Sequence, residues 1–110
     1  MNKDKLEKRV WFPGWAETLA REPWPPARRE TFRRIIAWYL HVCKERGWPV
    51  SVASARRFIE MVEREQQPGA ERLATWKEGL NWFFRRAAEP ATRAVAQAVG
   101  EEPAKAGTTN

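Results

Sequence analysis

Apolar residues along the chain recur at intervals of three and four, and nowhere alternate over a strand-length run, so each ordered segment reads as helix. Trp15 and Leu19, four apart, place a short helix over Trp15 to Arg21. Glu22-Pro23-Trp24-Pro25-Pro26 ends it, because prolines at this density impose extended geometry. Pro26 suits the first turn of a second helix, predicted to run to Arg46 and stop at Gly47. Its inward stripe is Phe32, Ile35, Ile36, Tyr39, Leu40 and Cys43, with Arg34, His41 and Glu45 pointing the other way. After the Trp48-Pro49-Val50 turn, Ser51 is the expected N-cap of a third helix over Val52 to Glu65, with Val52, Ala55, Phe58, Ile59 and Val62 inward. Gln66-Gln67-Pro68-Gly69 is the next turn. A fourth helix follows over Ala70 to Ala88, with Leu73, Trp76, Leu80, Phe83, Phe84 and Ala87 on its main stripe. Trp82 falls roughly opposite, so the second half of this helix is apolar nearly all round, as in a central helix packed on several sides.

The expected fold class is all-α: one compact four- to five-helix bundle over residues 12–90. Residues 1–11 read as a flexible arm. Residues 91–110 read as a mostly disordered tail or linker, with a fraying helix over Ala91 to Val99. Phe32, Ile36, Tyr39, Phe58, Ile59, Leu73, Leu80 and Phe84 are expected to be buried together. The longest apolar run, Ile35 to Leu40, is too short to cross a bilayer, and no signal peptide is visible, so no membrane partner and a cytoplasmic setting are the expectation. One cysteine, Cys43, and one histidine, His41, exclude a disulfide framework and a Cys/His zinc site.

Charge changes the picture. Twenty Lys and Arg against 14 Asp and Glu leave +6, and the pI is about 10.1. Fourteen of the cations are Arg, the side chain whose fork matches phosphate. The last twenty residues sum to zero, so the excess lies in residues 1–90. Within it, Pro26 to Ala37 carries Arg28, Arg29, Arg33 and Arg34 against Glu30, whereas Val52 to Glu65 is balanced. Arginines in a first turn oppose the helix dipole, a local rule broken where helix N-termini favour phosphate. Arg72, Thr75 and Lys77 at the start of the fourth helix form a second set. The pattern points to nucleic acid as partner.

Catalytic chemistry is not legible. His41 is alone on a polar face, Cys43 falls on a core stripe, and there is no Gly-rich phosphate loop and no Ser-His-acid set. No enzymatic activity, metal or cofactor is expected of this chain. Most of the seven tryptophans read as packing; Trp11 and Trp38 are the two expected to meet solvent or a partner.

Thr31-Phe32, Ile35-Ile36 and Tyr39-Leu40, then Ser51-Val52 before Arg57-Phe58-Ile59, then Leu80 with Trp82-Phe83-Phe84, resemble in order and spacing the N-terminal core-binding (SAM-like) domain of phage- and integron-type tyrosine recombinases. The resemblance covers about Phe12 to Glu89. It implies a DNA-binding module for site-specific integration and recombination, whose second and fourth helices face one side of the duplex. Carried over, it sets Arg28, Arg29, Arg33, Arg72, Thr75 and Lys77 near the DNA. The family's catalytic arginines, lysine, histidines and tyrosine lie C-terminal to this region, so the chain corresponds to an excised or truncated N-terminal domain, monomeric by itself. Arg28 and Arg29 stand where the family usually has Ser or Thr, and Trp76 and Lys77 where smaller or aliphatic residues are usual. Two other classes stay open: a small regulatory helical DNA-binding protein unrelated to recombination, and a protein-interaction bundle using exposed tryptophans.

Overall fold

The computed structural model describes residues 9–89, which form four helices and no strand: α1 (Trp15–Ala20), α2 (Pro26–Arg46), α3 (Val52–Gln66) and α4 (Ala70–Ala88). The expected arm before residue 9, the tail and the helix over Ala91 to Val99 lie outside the described residues. Within the stretch read as arm, the Val10 amide donates to the Val50 carbonyl at 2.8 Å. Phe12 is buried and Trp11 is 39% exposed.

The helix ends follow local chemistry. Pro26 occupies the first turn of α2, and Gly47 caps its end at φ 71, a left-handed conformation that costs glycine little. Ser51 caps α3: its hydroxyl accepts from the Ser54 amide, and Ser54 accepts from the Ser51 amide, a reciprocal capping box. The expected turn before α4 is present, with an unusual backbone. The left-handed residue there is Gln67, at φ 48, while Gly69 is extended, so the glycine is not placed where the backbone most needs one.

The core lies where α2 meets the other helices: Phe32, Ile35, Ile36 and Tyr39 from α2 join Leu19, Phe58, Val62, Leu80, Trp82 and Phe83. The inward face of α3 is rotated from the expected stripe. Ser54 and Met61 are buried with Ala55, Phe58 and Val62, whereas Val52 and Ile59 are half-buried. Leu73 and Phe84 are also only half-buried, against expectation. Leu73 sits in the first turn of α4, before that helix reaches the core, and Phe84 gives the deepest place to Trp82 and Phe83. Trp38 is half-buried rather than exposed, with its ring edge-on to Phe58 (5.2 Å) and Trp76 (5.8 Å).

Two features set how α2 meets α4 and α3. Gly79 is buried on α4; a Cβ there would stand 2.8 Å from Ile35 Cγ2 and 3.3 Å from Phe32 Cδ1, so α2 comes closer than any side chain permits. Tyr39 is fully buried, as its place on the inward stripe predicts: its hydroxyl lies 2.6 Å from Ser54 Oγ and 3.0 Å from the Ser51 carbonyl oxygen, and accepts from the Ser51 amide. Burial pushes the Tyr39 hydroxyl well above the ordinary tyrosine range.

Candidate nucleic-acid interface

The proline segment fixes how the basic start of α2 is presented. Trp82 Nε1 donates to Glu22 Oε2 at 2.8 Å, and Arg86 Nε lies 3.4 Å from the same oxygen, an ion-pair approach without hydrogen-bond geometry. Trp24 packs edge-on against Phe32 and Trp82. Sequence reading missed Glu22 as the anchor of this segment; a lone acid beside prolines carries no signal until Trp82 is brought to it from 60 residues away.

Arg28 and Arg29 belong partly to this anchor. The Arg28 guanidinium stands 4.8 Å from the ring centroids of both Trp24 and Phe32, and 3.7 Å from Glu78. Arg29 Nη1 donates to the Glu22 carbonyl at 2.9 Å. These contacts account for arginines in a first turn without any ligand, since the stems and cations pack the proline segment. The backbone there offers little as well: Pro26 has no N–H, and the Arg28 and Arg29 amides donate to the Pro25 carbonyl.

Arg33 and Arg34 both grip Glu30. Arg33 donates through Nε (3.0 Å) and Nη2 (2.6 Å), and Arg34 through Nε (3.0 Å). Hydrogen bonds from Arg33 and then Arg34 hold the Glu30 carboxyl at about 2, and the same pairing raises Arg33. All three side chains are largely solvent-exposed, so this cluster of net +1 presents guanidinium edges to solvent.

From this cluster Arg34 reaches a groove between α2 and α4. Thr31, Arg34, Ile35 and Trp38 form one wall; Glu71, Arg72, Thr75 and Trp76 form the other. Its volume is about 710 Å³ and it opens to solvent. The floor is apolar and aromatic; Arg34 and Arg72 supply cations from opposite walls. Both threonine hydroxyls donate back along their own helices, Thr31 to Ala27 (3.0 Å) and Thr75 to Glu71 (3.1 Å), so each presents lone pairs until it rotates. Arg72 and Lys77 make no ion pair among the described residues. Of the six expected site residues, Arg72 and Thr75 line the groove; Arg28, Arg29 and Arg33 lie along the start of α2, and Lys77 is exposed on α4. Arg34, which points away from the inward stripe and is not among the expected site residues, is the α2 cation that lines it.

His41 is exposed and lies 3.3 Å from Glu45, while Cys43 is buried beside Ser54. Among the described residues no group of three His, Cys, Asp or Glu side chains is placed to hold a metal ion, and no helix is long and apolar enough to cross a membrane. No protein-family model, curated protein or solved structure matches the chain.

Proposed function

We propose that this chain is a duplex-DNA-binding module that grips one side of the double helix with the face shared by α2 and the first half of α4. The observation that carries the reading is the groove in which Arg34 and Arg72, from helices far apart in sequence, stand as cations on opposite walls. Phosphate is the anion such forked cations suit, and the +6 charge supplies long-range attraction. The resemblance to recombinase core-binding domains assigns the same two helices to DNA and leaves catalysis to another part of a parent protein, in a cytoplasmic setting. The interaction-bundle alternative draws less support, because Trp11 is the one large apolar side chain exposed among the described residues.

Fluorescence anisotropy with a labelled duplex tests the proposal. The chain is expected to bind in the micromolar range or weaker near physiological salt, and more weakly as salt rises. Arg34→Ala/Arg72→Ala should reduce the log–log salt slope by about two, one for each phosphate contact. Arg64→Gln, on the charge-balanced α3, should leave it unchanged. Absence of binding at low salt, or equal behaviour of the two variants, overturns the proposal.

A further inference from the structure

The far end of α2 carries a second concentration of cations that the groove does not use. Arg46, in the last turn of α2, and Arg57, in α3, each place their guanidinium carbon 5.5 Å from the centroid of the Trp48 ring. Two like charges are thus held within twice that distance of each other on one aromatic platform. Neither makes an ion pair among the described residues, and the neighbouring acid Glu45 is engaged with His41. Lys44 and Arg56, next in sequence, are exposed and make no ion pair among these residues.

Backbone hydrogen bonds fix the turn that carries Trp48. The Trp48 amide donates to the Cys43 carbonyl at 2.9 Å, Gly47 holds the left-handed turn, and Val50 accepts from Val10. One arginine over a tryptophan is ordinary packing. Two guanidiniums gathered on one ring without an ion pair among the described residues repel each other, and an anion that contacts both relieves that repulsion. Phosphate groups match their forked donors.

We propose that the Trp48 corner, through Arg46 and Arg57, is a second phosphate-backbone site that takes a separate duplex segment, so that one chain can bridge two stretches of DNA. The identity of the ligand rests on the DNA-binding reading above, but the site does not share its residues. Arg34 and Arg46 are separated by roughly 18 Å along α2, and twelve residues turn the helix so that they project about 120° apart. A single short, straight duplex does not meet both.

The test is the number of duplexes bound per full-length chain at low salt, by calorimetric titration with a hairpin duplex of about 10 base pairs, one helical turn. Wild type is expected to bind two, Arg46→Gln/Arg57→Gln one, Arg34→Ala/Arg72→Ala one, and the quadruple variant none, with Arg64→Gln binding two. In Arg34→Ala/Arg72→Ala the remaining site should show a log–log salt slope near −1.8, two phosphates' worth. Circular dichroism melts of each variant exclude unfolding as the cause of any loss. If Arg46→Gln/Arg57→Gln keeps the wild-type stoichiometry and salt slope, the corner site is overturned while the groove reading stands. If Arg34→Ala/Arg72→Ala keeps two duplexes while the corner variant loses one, the groove reading falls and the corner stands. If the corner pair is needed to bind a poly-glutamate peptide but not DNA, the proposal is overturned in favour of an acidic protein partner.

Discussion

Gly79→Ala should destabilise the protein, although it places a better helix former inside α4. In an open helix the change would favour folding by about 0.8–1 kcal/mol, because glycine costs backbone entropy. Here the added methyl would stand 2.8 Å from Ile35 Cγ2 and 3.3 Å from Phe32 Cδ1. Neither neighbour gives way easily. Both are almost fully buried, and Cγ2 is fixed directly on a β-branched carbon with one favoured rotamer in a helix. Overpacking of this kind costs typically about 1–3 kcal/mol, so after the propensity gain the net loss of stability should be about 0–2 kcal/mol, or up to roughly 16 °C in Tm for a domain of this size. Urea denaturation followed by helical circular dichroism measures it. Ile35→Leu moves the branch off Cβ and should recover part of the loss, giving a coupling of about 1 kcal/mol in the double-mutant cycle. A Gly79→Ala protein more stable than wild type would refute the close approach of α2 and α4, and with it the groove geometry.

Phe83→Ala should cost about 3–5 kcal/mol, and Phe84→Ala about 1–2 kcal/mol less, because Phe83 is buried and Phe84 only half so; denaturation midpoints in the reverse order would contradict this packing. Gln67→Gly should raise stability by about 0.5–1 kcal/mol by relieving a left-handed non-glycine residue, read as an increase in Tm. Tyr39 is raised in the folded state, so its contribution is present below the ordinary tyrosine value near 10 and is lost as pH climbs above it. Wild type should therefore lose stability above pH ~10 more steeply than Tyr39→Phe, as measured by urea midpoints from pH 9 to 11.

The order and near-exact limits of the four helices in the described residues were determined by the sequence alone. Prolines, Gly47 and Ser51 act on their own neighbours, and a 3.6-residue period needs no partner to be seen. The basic character of the α2 start was equally legible, because charge is counted without coordinates. Tertiary structure decided everything that depends on what faces a residue from elsewhere in the chain. The apolar stripe of α3 is broad enough to allow several rotations, and only the close approach of Tyr39 selected the one that buries Ser54. Gly79 reads as a weak point in a helix until Ile35 is against it. Arg28 and Arg29 look like free cations until Trp24, Phe32 and the Glu22 carbonyl occupy them. Arg34 and Arg72, legible in sequence only as members of two separate basic helix starts, become opposite walls of one groove because α4 packs across α2. Local conformation is set by short-range sterics and hydrogen bonds, whereas a site is a set of distances between residues remote in sequence, and only packing sets those.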